Sequence, residues 1–210
     1  MKLLPLREYA GINHDDPIRL YKLPVIGNMY RKRIELCLDE CIRGERVLEI
    51  GFGSGVAFLN LHDLYDEIHG LDLTSDVEAV SRVFTANGVI TFLKRGNVRE
   101  MPYPDDLFDT VLLISILEHL KPEEQLPAFH EIRRVLKPGG QVVYGVPVER
   151  PLMTFMFRLL GYDIRLHHFS SEKQVEEAAS ALLQRIRVHS MKGTPPLLGA
   201  VYEIGHFRKS

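Results

Sequence analysis

Only two cysteines, Cys37 and Cys41, occur in 210 residues, too few for the disulfide framework of a small secreted protein. Four apart in a helical pattern, they are expected as reduced thiols on one helix face. No run of about 18 uncharged apolar residues occurs, so no membrane span is expected. The apolar stretch within Met1–Glu8 is too short for a signal peptide, and the default compartment is cytoplasmic. An excess of one charge is also missing. With 26 Lys and Arg against 28 Asp and Glu, the formal net charge is −2. Bulk electrostatics therefore point to no nucleic-acid partner, and no basic stripe suggests one locally. Internal repeats, low-complexity tracts and long linkers are absent. Histidines are plentiful, at positions 14, 62, 69, 119, 130, 167, 168, 189 and 206. Their spacing contains no His-x-x-x-His or Cys-His grouping of ligand type, and no metal is expected.

Hydrophobic residues make up 45% of the chain and charged ones 26%, the balance of a soluble globular domain with a full core. The most informative stretch is Val47-Leu48-Glu49-Ile50-Gly51-Phe52-Gly53-Ser54-Gly55. It reads as a strand, a Gly-x-Gly-x-Gly turn and then the start of a helix expected to reach about His62. Glycines allow positive φ and close approach of a ligand to the main chain. A small molecule is expected at the carboxyl end of this strand. The dinucleotide fingerprint would place its third glycine at position 56, but Val56 stands there and Gly55 comes one residue early. Glu49 would repel a pyrophosphate and could hold an ammonium group. A nicotinamide-dependent oxidoreductase is therefore disfavoured.

Glu-x-Gly-x-Gly-x-Gly resembles motif I of the class I S-adenosylmethionine-dependent methyltransferases. Three later features agree in order. Asp72 ends a second strand (67–73) about twenty residues on, where a carboxylate accepts from ribose hydroxyls. Gly96-Asn97 follows a third strand (89–93), at the place where the family uses Gly-Asp on the adenine amino group. Asn97 keeps an acceptor oxygen but brings no charge, or it only holds a turn. Arg134–Gly140, before the fifth strand, matches a stretch that recurs across the family and reads as helix termination and a tight turn. The run Phe108–Leu120, with its Leu-Glu-His, resembles the ubiquinone-biosynthesis subgroup in particular. The resemblance is strong over about 45–148 and weak over the last forty residues.

The resemblance implies an α/β fold: a Rossmann-like, doubly wound, seven-stranded, mostly parallel sheet whose last strand is antiparallel, inserted between the fifth and sixth. It implies S-adenosyl-L-methionine as cofactor, held by Glu49, Gly51, Phe52, Gly53, Gly55, Asp72, Leu73, Asn97, Val98, Ile114 and Ser115. Tyr21, Tyr30 and Arg31 are candidates for its carboxylate, as arm residues are in some relatives. One domain over 1–210 is expected: arm and helix (1–44), cofactor-binding core (45–148), substrate-cover insertion (149–171), and C-terminal helix and strands (172–210).

In detail, the pattern predicts an irregular arm with a short helix near Asp16–Leu20 and a helix over 31–43 stopped by Gly44. Further helices are expected over 75–87, 122–136 and 172–183, and strands over 109–115, 141–146, 186–190 and 200–207. The very apolar stretch Leu152–Leu160 reads as a short helix. It and the arm either close over a hydrophobic or amphipathic acceptor or pack as ordinary core or dimer interface.

Methyl transfer from a sulfonium needs mainly in-line alignment and exclusion of water. A hydroxyl or amine acceptor also needs a base, and His119, His167 and His168 are the candidates. At most one of the adjacent pair should face the pocket. The sequence thus points to a methyltransferase acting on a small-molecule or lipid-like acceptor, as monomer or homodimer, without stable membrane insertion. The competing reading is a non-catalytic cofactor-binding or partner-binding module that kept the fold.

Overall fold

The computed structural model describes residues 1–9, 18–148, 168–193 and 199–210. Its elements in chain order are α1 (Pro24–Asp39), β1 (Gly44–Ile50), α2 (Phe58–Leu61), β2 (Tyr65–Asp72), α3 (Val77–Ala86), β3 (Thr91–Arg95) and β4 (Phe108–Ile114). There follow α4 (Pro122–Val135), β5 (Leu136–Pro147), α5 (Glu172–Leu182), β6 (Gln184–Lys192) and β7 (Ala200–Arg208). Seven strands form one sheet in the order β3-β2-β1-β4-β5-β7-β6. All neighbouring pairs from β3 to β5 are parallel, and β7 runs antiparallel to both β5 and β6. The α/β architecture and the inserted antiparallel strand are as the sequence predicts.

Strand alternation sorts the core onto two faces. Val47 and Leu112 point to one side, with Cys37 of α1, Phe58 of α2 and Phe84 of α3. Leu48, Val111 and Leu113 point to the other, with Phe129 and Ile132 of α4 and Val175 of α5. Val111, Leu112 and Leu113 are all fully buried, the signature of a central strand covered on both faces. The strand order reverses between β1 and β4. Ligands of such sheets bind outside the carboxyl ends of the strands at that point.

Several boundaries depart from the sequence reading. The first helix begins at Pro24, within what looked like irregular arm, because proline at the first helical position gives up an N–H that has no partner there. It ends at Asp39, which leaves Cys41 beyond the helix, its Sγ donating to the Cys37 carbonyl at 3.4 Å. Both cysteines are free thiols. The short helix expected near Asp16–Leu20 is a 3-10 turn over Ile18–Lys22. Helix α3 is capped by Asp76, which accepts from Ala79 N at 2.9 Å, so it starts two residues later than the predicted 75.

The fifth strand starts five residues earlier than predicted, at Leu136. Lys137–Gly140 form an irregular beginning of the strand where a turn was expected. Gly139 donates to the Lys209 carbonyl at 3.0 Å and Lys209 N to the Gly140 carbonyl at 2.8 Å. Those partners lie some seventy residues away, outside the reach of any local pattern. Arg134, at the head of the same stretch, bonds the Met101 and Tyr103 carbonyls and the Glu131 and Asp105 carboxylates, pinning the loop that leads into β4.

The arm residues 1–9 pack as core: Leu4 and Tyr9 are buried, and Lys2 exchanges hydrogen bonds with Asn60. The expected apolar helix Leu152–Leu160 lies outside the described residues. Among the described residues no helix is long and apolar enough to cross a membrane.

Candidate active site

The glycine turn sits at the carboxyl end of β1. Gly51, Gly53 and Gly55 have φ of 70°, 54° and 73°, values that cost an L-residue with a Cβ about 1–2 kcal/mol. Two of the three are also sterically constrained. A Cβ on Gly51 would run into the Ile116 side chain, and one on Gly55 would lie 2.6 Å from atoms of both Phe58 and Phe84. The turn consumes residues 51–57, so the helix behind it is only the four residues Phe58–Leu61. The helix expected to run from the turn to about His62 is reduced to that single helical turn. What this end presents is the glycine turn itself and the neighbouring carboxylates.

Two carboxylates flank the turn. Glu49 pairs in register with Gly70 of β2 and Leu112 of β4 and is 4% exposed. Burial of Cys41, with a smaller contribution from the Glu49 charge, pushes that thiol up to about 12. Asp72 ends β2 and is also buried. It accepts from Gly53 N at 3.0 Å and from Thr74 N and Ser75 N, both at 2.9 Å. One carboxylate therefore ties the first crossover to the turn after the second strand. No lysine or arginine occurs between Glu49 and Phe58, so the side chains flanking the turn are acceptors, suited to a cation and a diol and unsuited to phosphate.

The remaining predicted contacts distribute unevenly. Phe52 turns its ring into the core, 5.7 Å from that of Phe58 and against Gly70, so only its backbone belongs to the turn. Leu73 is 61% exposed beside Asp72. Val98 is buried in the core beneath α4. The Asn97 side-chain oxygen accepts from Arg99 N at 3.0 Å, the turn-holding role weighed for it above.

At the end of β4, half-buried Ile114 leads to Ser115, whose φ of 58° is rare for serine. Ser115 N donates to the Gly145 carbonyl at 2.8 Å, and its hydroxyl lies 2.9 Å from that of Tyr202. Arg33 Nη1 reaches the same hydroxyl at 3.3 Å. Its guanidinium lies 4.1 Å from the centre of the Tyr30 ring, a cation–π contact. Burial works against the Arg33 charge, but the phenols of Tyr202, Tyr21 and Tyr30 hold its pKa above the ordinary guanidinium value. Tyr21 is buried edge-on to Tyr30, and Arg31 is spent on the Tyr21 carbonyl at 2.9 Å. Arg33 and Tyr202 were missed from sequence. Only the i, i+3 spacing of Tyr30 and Arg33 hinted at the first, and nothing local marked the second.

A 3-10 turn, Leu117–His119, follows. Glu118 is 3% exposed and His119 is exposed. His168 arrives from the far side of the chain, its ring centroid 5.2 Å from that of His119. Ligand atoms of Glu118, His119 and His168 lie within 4.8 Å of one another. His167 falls outside the described residues.

Residues 48–144 match the methyltransferase domain family. The ubiquinone biosynthesis O-methyltransferase of Alkalilimnicola ehrlichii is 27% identical over 127 residues, covering 60% of this chain and 50% of that protein. The ubiquinone/menaquinone biosynthesis C-methyltransferase UbiE of Vibrio campbellii is 26% identical over 190 residues, 85% of this chain and 71% of that one. The fold is shared with the N-methyltransferase NodS from Bradyrhizobium japonicum, solved in complex with S-adenosyl-L-homocysteine. The TM-score is 0.68 at 20% identity, covering 97% of this chain and 95% of that one. The chain spans about half the length of several curated relatives that it matches.

Proposed function

We propose, from the premise that residues 48–144 are a class I S-adenosylmethionine-dependent methyltransferase domain of the ubiquinone-biosynthesis type, that this chain methylates a small-molecule or lipid-like acceptor. One observation carries the reading. The Asp72 carboxylate bonds the Gly53 N–H at 3.0 Å, so a buried acid and a glycine turn with no Cβ on its three positive-φ residues share one crevice at the switch point.

The residues fit the cofactor's chemistry. Glu49 would take the ammonium of the methionine tail, and Asp72 the ribose diol. Leu73, exposed beside Asp72, offers an apolar surface for the base. Arg33, reaching Ser115 from α1, is the cation placed for the tail's carboxylate, in preference to Arg31. S-adenosylmethionine supplies a sulfonium methyl with an excellent leaving group. What the chain must add is alignment and a dry site. For a hydroxyl or amine acceptor, His119, His167 or His168 removes the proton. The acceptor class rests on the apolar sequence Leu152–Leu160 and on the quinone-directed relatives.

Calorimetric titration with S-adenosylmethionine and S-adenosylhomocysteine tests the first half, and loss of binding in Asp72→Ala supports it. Release of S-adenosylhomocysteine with a panel of hydroquinones, phenols and amine lipids tests the second. Folded protein that binds neither nucleoside would overturn the whole reading. Binding without turnover on any acceptor would leave a cofactor-binding module.

A further inference from the structure

The sequence offers no metal-ligand spacing, yet folding assembles a ligand set. Glu118 and His119 are adjacent in a 3-10 turn after β4, and His168 lies about fifty residues later. The two segments are sewn together by backbone. Phe169 N donates to the Glu118 carbonyl at 2.8 Å and Ser170 N to the same oxygen at 3.3 Å. Ser170 Oγ donates to the Leu120 carbonyl at 2.7 Å, and buried Gln125 braces the turn through the Leu117 carbonyl at 2.6 Å. His168 is therefore held beside His119 by bonds that do not involve either imidazole. That is how a preorganised ligand set is built.

The chemistry of the set is specific. Two imidazole nitrogens and one carboxylate oxygen are the donors of open, three-ligand zinc sites, and imidazole also suits nickel, copper and iron. Ligand atoms around a tetrahedral zinc, at about 2.1 Å each, are about 3.4 Å apart. Atoms already within 4.8 Å of one another need only small side-chain adjustments. Glu118 is the buried member of the set. The exposed ring of His119 leaves a route in from solvent.

We propose that Glu118, His119 and His168 form a site for one divalent transition-metal cation of the zinc type, bound through Glu118 Oε, one nitrogen of each imidazole and an open fourth position. In that position a water or an acceptor oxygen would complete the shell. The proposal stands apart from the methyltransferase assignment, because it concerns cation binding and not turnover. A liganding nitrogen has given up its lone pair, so His119 and His168 cannot be ligand and base through the same atom.

The test is a titration of the full chain, stripped with chelator, with Zn2+ in competition with a chromophoric chelator. A parallel Co2+ titration is followed by ligand-field absorption. One equivalent should bind saturably. Glu118→Gln, His119→Ala and His168→Ala should each weaken it at least about tenfold, while His130→Ala, on an exposed face of α4, should bind as the parent does. Circular dichroism and S-adenosylhomocysteine titration of each variant report folding and the cofactor site separately. Absence of saturable binding to the folded parent would overturn the site. So would parent-like affinity in His168→Ala, or a loss confined to a His206→Ala variant, which would move the cation to Glu40, whose carboxylate lies 3.1 Å from His206 Nδ1.

Discussion

The hydroxyls of Ser115 and Tyr202 lie 2.9 Å apart, joining the end of the fourth strand to the antiparallel strand that enters the sheet last. Tyr202 is 3% exposed, and burial pushes its phenol well above the ordinary tyrosine range, so it stays neutral. Ser115→Ala removes this partner and keeps the strained φ. It should lower stability by about 1–3 kcal/mol in urea unfolding and release Arg33 from its anchor. Tyr202→Phe, which takes away both hydroxyl and need, should cost less. Equal effects of the two would mean that the bond is not what holds the strand end.

Gly51 and Gly139 separate two causes of glycine requirement. Both have positive φ, 70° and 77°, but a Cβ on Gly139 meets nothing within 4 Å, whereas one on Gly51 meets Ile116. Gly139→Ala should cost about 1–2 kcal/mol from backbone strain alone. Gly51→Ala should cost more and abolish nucleoside binding. Adding Ile116→Ala should return part of the stability lost in Gly51→Ala, a difference that chemical denaturation reads directly.

Asp72 holds three backbone N–H groups. Asp72→Asn leaves one oxygen to accept and turns an amide toward donors, so stability should fall by about 1.5–3 kcal/mol. Affinity for S-adenosylhomocysteine should fall at least about tenfold, with Asp76→Asn, which can still cap α3, as the control that leaves it unchanged.

Glu203 predicts a pH dependence. Burial, with the nearby Glu176 and Glu172 charges, raises its carboxyl from 4.5 to about 7. A raised folded-state value means that its stabilising contribution is complete below the unfolded value, 4.5, and is lost as pH rises through about 7. Glu203→Gln should therefore stabilise the protein at about pH 8 by about 1 kcal/mol, after discounting for partial exposure. Near pH 4.5 the difference should vanish. Thermal melts across that range would show it, and a constant offset at all pH values would contradict it.

What could be read from the chain alone was whatever local chemistry dictates. Val47–Gly55 announces a strand and a turn needing positive φ, the apolar run through Val111–Leu113 announces a strand buried on both faces, and Ser171 with Glu172 or Gln174 announces a helix start, where the structure forms a Ser171–Gln174 capping box. Spacing along one βαβ unit is nearly fixed, so the distance from Gly51 to Asp72 was legible too. Tertiary structure alone decided which distant side chains meet. It brought Tyr202 and Arg33 to Ser115, Lys209 to the Gly139–Gly140 backbone and His168 to His119. Each of these is a contact made by sheet order and backbone bonding between elements far apart in sequence, and no local periodicity encodes it.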